Sequence, residues 1–213
     1  SVPFWRKSST VKTFLPSAHD RSATPSGLSM PLPCPDHQMA HDIDPTLHAL
    51  GVVGESGSGK STIGEALAKR LSWRFEDGDA FHPPSNVAKM KAGHPLDDGD
   101  RRPWLEAIAA EIERVATARD HIIIACSALK RAYRDILVHG RHDTRIVFLD
   151  GSEDLIAARL RKRKGHFMPP ELLASQFETL ETPTIDEHVI TVSIDADVDA
   201  IVADIVQKLS APA

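Results

Sequence analysis

The sequence predicts an α/β protein: a parallel sheet held between helices on both faces, preceded by a segment without a fold of its own. Three observations predict it. The 213 residues, 41% hydrophobic and 26% charged, suit one globular domain with a sizeable core. From about Leu47 onward, short continuous apolar runs alternate with segments of helical period. Uninterrupted apolar strands are usually covered on both faces, and a strand-helix alternation achieves this with a parallel sheet.

The elements follow in order. Strand 47–53 is the first apolar run, and a glycine-rich turn carries it into helix 60–71. Strand 73–76 gives way to an acidic turn. Helix 101–118 follows a second acidic cluster, with Asp100 as a fair N-cap. Strand 121–126 holds the densest apolar run, Ile122 to Cys126. Helix 129–138, strand 145–149 and helix 152–163 continue the alternation, the last opened by Ser152 with Glu153 and Asp154 in its first turn. Helix 169–180, strand 189–194 and helix 197–209 complete the domain, 47–213.

Residues 1–46 hold seven of the 15 prolines and many serines, without a periodic apolar pattern, and are expected to be disordered. Arg6, Lys7, Lys12 and Arg21 among serines suggest a transit peptide, which Asp20, Asp36, Asp42, Asp44 and the prolines fit poorly. An over-extended start ahead of Met30 or Met39 is the plainer expectation.

Composition removes several function classes. Ile122 to Cys126 is only a strand's length, far short of the roughly 18 apolar residues of a membrane span. Cys34 and Cys126 are too few and too far apart for a disulfide framework or a cysteine zinc site, so a reducing compartment is expected. With 25 Lys and Arg against 30 Asp and Glu, the net charge of −5 argues against a nucleic-acid partner. The expected partner is a small molecule.

In an open parallel sheet, ligands bind beyond the carboxyl ends of the strands. Directly after the first strand stands Gly54-Glu55-Ser56-Gly57-Ser58-Gly59-Lys60-Ser61-Thr62, which fills the pattern G-x-x-x-x-G-K-[ST]. Its glycines let consecutive N–H groups turn toward phosphate oxygens, and the following helix adds its positive end. Lys60 is expected to reach the β and γ phosphates and Ser61 to ligate Mg²⁺. A flexible linker is the bland alternative, but linkers do not sit inside a strand-helix-strand unit.

After the second strand, Asp77 and Asp79 are placed two residues apart on an extended segment, where they share a face. One carboxylate can support the metal and the other can hold an acceptor hydroxyl in line with the γ-phosphate. Taken alone, Asp-Gly-Asp is common turn chemistry. Further on, Asp97, Asp98 and Asp100 can accept hydrogen bonds from a polyol, while Arg101 and Arg102 can clamp a carboxylate. Lys130 and Arg134 stand at i, i+4 and are expected on one helical face near the same edge. Arg159, Arg161, Lys162, Arg163 and Lys164 run into Gly165-His166-Phe167-Met168 and read either as a solvated helix end or as an arginine-bearing lid. His166 is a candidate for substrate contact, although a lone His more often serves a structural role.

Together and in this order, GESGSGKST, DGDAFHP, the stretch from Asn86 to Met90, HPLDDGDRRPWL, CSALKRAYRD, RLRKRKGHFM and SQFETLETP resemble the P-loop gluconokinases, relatives of shikimate and adenylate kinases. The likeness covers about residues 50–209. It departs at Val138, where such proteins commonly carry Arg, and does not reach residues 1–46.

The resemblance implies a five-stranded P-loop sheet of order 2-3-1-4-5 in a cytoplasmic homodimer, with a lid around Gly165. It also implies ATP- and Mg²⁺-dependent phosphorylation of D-gluconate. Gly54 to Thr62 would hold the nucleotide with Arg159, and Ser61 and Asp77 would serve the metal. Asp79 would orient the hydroxyl and take its proton; Lys60 and Arg163 would act on the transferring phosphate. His82, Arg101, Lys130, Arg134 and His166 would meet the sugar acid. A kinase for another small hydroxy acid is the near alternative. A guanine-reading switch is disfavoured because the only Asn, Asn86, is followed by Val87 and not by Lys. A catalytically silent scaffold is disfavoured by the intact Lys60, Ser61, Asp77 and Asp79.

Overall fold

The computed structural model describes residues 43–162 and 170–211, the side chains of 170–172 excepted. The expectations for residues 1–42, and those for Arg163, Gly165 and His166 around the lid, lie outside the described residues. Five strands, β1 (Ala49–Val53), β2 (Arg74–Asp77), β3 (Ile122–Cys126), β4 (Thr144–Asp150) and β5 (Ile190–Ser193), form one parallel sheet. Its order is β2-β3-β1-β4-β5, as the resemblance implied. Central β1 pairs Ala49 with Ile122 on one side and with Thr144 on the other, so its carboxyl end opens between its two neighbours.

The described helices are α1 (Lys60–Leu71), α2 (Pro84–Lys91), α3 (Asp98–Thr117), α4 (Arg131–Val138), α5 (Glu153–Lys162), α6 (Pro170–Thr179) and α7 (Val198–Ser210). Strand alternation sorts them onto the two faces. Leu50 and Val52 point into a layer built with Ile63 and Leu67 of α1, Ile156 of α5, Leu173 of α6 and Ile205 of α7. Ala49 and Val53 point the other way, toward Trp104, Leu105 and Ile108 of α3 and Leu137 of α4. Ile43 and Leu47 are buried in the first layer, so the core reaches four residues ahead of the expected domain start at 47.

Two expectations are corrected. Helix α2 was not anticipated; it opens with Pro84 at the first turn, where a missing N–H costs nothing. The third helix begins at Asp98 and not at residue 101, and its N-cap is Asp97. Asp97 accepts the Asp100 N–H at 2.9 Å and Asp100 returns the bond to the Asp97 N–H at 2.9 Å, a reciprocal capping box. Asp100 therefore occupies the third helical position. Ser152 meets its expectation: its hydroxyl accepts the Leu155 N–H at 3.3 Å at the start of α5.

Candidate active site

The glycine-rich turn leaves β1 and enters α1 at the carboxyl edge of the sheet. Gly57 takes φ +89°, and a Cβ there would stand 2.7 Å from Leu160 Cγ, so both backbone hand and space require glycine. Lys60 turns back over the loop and donates to the Glu55 carbonyl at 2.9 Å. Burial pushes its ammonium pKa down, while Cys126, Asp79, Glu55 and Asp77 pull it up. A cation so placed gains most from a phosphate that replaces the lost water.

Glu55 and Ser58 are 1% and 0% exposed, and among the described residues Glu55 Oε2 and Ser58 Oγ meet no hydrogen-bond partner. Burial raises the Glu55 carboxyl above its usual value, against the pull of its own backbone N–H and Lys60. Their main-chain amides are engaged within the loop, that of Ser58 donating to the Glu55 carbonyl at 3.2 Å and that of Glu55 to its own carboxylate.

Ser61, one residue into α1, donates from Oγ to Asp77 Oδ2 at 3.1 Å. The other Asp77 oxygen accepts the Asp79 N–H at 3.0 Å and caps a short 3₁₀ turn, Gly78–Phe81. This turn leaves the Asp79 side chain 83% exposed at the mouth of the site. Gly78 makes the turn possible: a Cβ there would meet the Ala125 carbonyl at 2.6 Å and Cys126 Cβ at 2.7 Å. His82 is stacked on Trp104 with centroids 4.4 Å apart, and its Nδ1 lies 3.4 Å from Asn86 Nδ2. Burial lowers its pKa, with Arg101 adding to the effect and Asp79 opposing it.

A second polar group gathers around Asp98. Lys130 donates to both Asp98 oxygens at 2.8 and 2.9 Å, and the Tyr133 hydroxyl donates to Asp98 Oδ1 at 2.5 Å. Arg101 lies over the Tyr133 ring at 5.9 Å and gives its Nε–H to the Leu96 carbonyl at 3.3 Å. The hydrogen bonds from Lys130 and Tyr133 hold the Asp98 carboxyl below the usual range.

Arg134 does not join this group. Its side chain is 2% exposed and grips Glu187 through Nε at 2.7 Å and Nη2 at 3.0 Å, while Nη1 donates to the Leu129 carbonyl at 2.9 Å. The expected shared face with Lys130 is absent because Lys130 is the N-cap of α4 and lies outside the helix. Arg134, expected to meet the sugar acid, is found in a buried ion pair.

Arg159 bridges the glycine-rich loop, donating from Nη2 to the Ile194 carbonyl at 2.5 Å and from Nη1 to the Ser58 carbonyl at 3.4 Å. It thus ties the loop to the end of β5. Sequence reasoning missed Tyr133, Asp98 as the partner of Lys130, and Gln176, which bonds to Ser56. The motifs containing them were visible, but their partners are distant in the chain.

For a divalent cation, the Ser61 hydroxyl and the Asp77 carboxylate, hydrogen-bonded at 3.1 Å, present hard oxygen ligands side by side. Among the described residues no cluster of three or more His, Cys, Asp or Glu could hold a metal alone. A hydroxyl beside one carboxylate suits Mg²⁺, which keeps several waters and takes its remaining oxygens from phosphate.

The family model described as Shikimate kinase matches residues 56–210. A Mus musculus protein named probable gluconokinase is 44% identical over 74% of this chain and 95% of its own length. The gluconokinase of Gluconobacter oxydans (strain 621H) is 44% identical over 76% of this chain and 91% of its own. The crystal structure of a gluconokinase from Sinorhizobium meliloti 1021 superposes with a TM-score of 0.69 at 44% identity, covering 76% of this chain and 91% of that one. With the phosphate loop, the acid pair and the sheet order in place, the chain belongs to the gluconokinase family, a branch of the shikimate kinase-type P-loop kinases.

Proposed function

We infer that this protein transfers the γ-phosphoryl group of ATP to the 6-hydroxyl of D-gluconate, giving 6-phospho-D-gluconate and ADP. The observation that carries the chemistry is the Ser61 to Asp77 hydrogen bond, which sets the phosphate loop beside the turn bearing Asp79. Gluconate as the acceptor is supported by the gluconokinases to which the chain is 41–45% identical.

Glycine amides and the Lys60 ammonium bind the phosphates and face the charge that spreads over the γ-phosphoryl oxygens. Ser61 and Asp77 would hold Mg²⁺; when bound, it neutralises β- and γ-phosphate charge. Asp79, exposed at the mouth, orients the acceptor hydroxyl and receives its proton. Asp98, Lys130, Tyr133 and Arg101 offer hydrogen bonds and positive charge to the polyol and carboxylate, and His82 forms a wall through its stack on Trp104. Arg159 steadies the nucleotide side. The same resemblance supports a cytoplasmic homodimer. No described helix is long and apolar enough to cross a membrane.

The test is an acceptor screen with ATP and Mg²⁺, read by coupled ADP release, on wild type, Lys60→Ala and Asp79→Asn. Gluconate should be phosphorylated in preference to shikimate, and each substitution should lower kcat by about a hundredfold or more. Near-normal turnover in either variant would remove that residue from the mechanism. Preference for another hydroxy acid would change the acceptor and leave the donor site standing.

A further inference from the structure

The crown of the phosphate loop is gripped from outside by a side chain that the phosphate-binding pattern does not contain. Leu173 and Phe177 of α6 pack into the first core layer, which fixes the rotation of the helix. Gln176, between them in the sequence, then reaches Ser56. Its Oε1 accepts the Ser56 N–H at 2.7 Å, and its Nε2 donates to Ser56 Oγ at 3.1 Å. A backbone amide can only donate, so the orientation of the Gln176 amide follows from its partner. Leu160 and Ile156 of α5 close on the next residue, Gly57, leaving no room for a Cβ.

We propose that Gln176 is a positioning residue for the phosphate donor. By holding the Ser56 N–H and hydroxyl together, it sets the crown of the loop before the nucleotide arrives. The amides of Gly57, Gly59 and Lys60 then meet the phosphates without first being ordered, while the Ser58 N–H stays on the Glu55 carbonyl at 3.2 Å. A glycine-rich loop has much backbone freedom to lose, and ordering it on binding would weaken affinity. Gln176 touches Ser56 and not the reacting atoms, so its effect belongs to donor binding.

The inference rests on the phosphate-loop reading of this site and not on the identity of the acceptor. The test uses the full chain as wild type, Gln176→Ala and Gln176→Leu, the last keeping side-chain bulk and packing should the alanine variant fold poorly. Calorimetry measures the Kd of a non-hydrolysable ATP analogue, and hydrogen exchange reads the Ser56 amide. The Kd should rise about tenfold in both variants. Exchange at Ser56 should become faster, and the KM for gluconate at saturating ATP should stay unchanged. Wild-type analogue affinity in the folded variants, unchanged protection at Ser56, or an equal rise in the gluconate KM would overturn the proposal. A wild-type protein that binds the analogue but phosphorylates no gluconate would instead refute the acceptor and leave this measurement intact.

Discussion

The Trp104 indole donates its Nε1–H to the Gly78 carbonyl at 2.7 Å, joining the buried face of α3 to the turn that carries the catalytic candidates. The same ring stacks on His82 just beyond that turn. One core residue therefore packs the second layer and locates Asp79.

Replacing Trp104 with Phe keeps an aromatic ring but removes the donor to Gly78. The expected cost is about 1–3 kcal/mol, measured by urea unfolding. Turnover should fall while the KM for ATP holds, because the phosphate loop does not depend on this bond. Unchanged kcat in the folded variant would mean that the turn is located by other contacts.

Gly78→Ala tests the close approach from the other side. The new methyl would press on the Ala125 carbonyl and Cys126 Cβ, both in strand β3 and unable to swing away. Destabilisation of about 2 kcal/mol or more is expected in thermal or urea unfolding. Activity should be lost at temperatures where the variant remains folded, since the turn must lift off β3. Wild-type stability together with wild-type turnover would contradict the packing described.

Breaking the buried Arg134 and Glu187 pair by Arg134→Met alone should cost about 3–5 kcal/mol, because Glu187 is left charged and unpaired. Adding Glu187→Leu should restore much of the loss. The restored double variant should keep the wild-type gluconate KM; a large rise would return Arg134 to the acceptor site.

Acid titration examines the same pair. Burial alone would raise the Glu187 carboxyl, but hydrogen bonds from Arg134 and the Thr184 N–H hold it below the ordinary 4.5. A carboxyl depressed in the folded state contributes stability that is fully present above its unfolded value and lost as pH falls through its folded value. Wild-type stability should therefore decline as pH falls below about 4.5. Glu187→Gln should show a shallower decline; an unchanged slope would remove the pair from the acid response.

The sheet was legible because its strands are local apolar runs and its phosphate loop is a contiguous pattern. Helix α2 was not, since Asn86 is its only buried residue and it lacks an apolar stripe. Polar bonds hold it instead: Asn86 Nδ2 donates to the Asp100 carbonyl at 2.7 Å, and Lys89 pairs with Asp97 and Asp100. The N-terminus of α4 was misread for a related reason. Glu181 accepts the Arg131 N–H at 2.7 Å from 50 residues away and supplies a cap that the local sequence lacks. The SQFETLETP motif, visible only as a family signature, thus places Gln176 on the phosphate loop and Glu181 on α4.

The sequence by itself determined the layered architecture, the phosphate loop and the acid pair, since each depends on neighbours within a few residues. Tertiary structure alone decided which charged side chains remain available to a substrate. Lys130 and Arg134 look alike in the chain, but Glu187 neutralises Arg134 in the interior while Asp98 holds Lys130 at the open edge. The physical reason is that a cation's partner and its access to water are set by chain segments brought together only by folding.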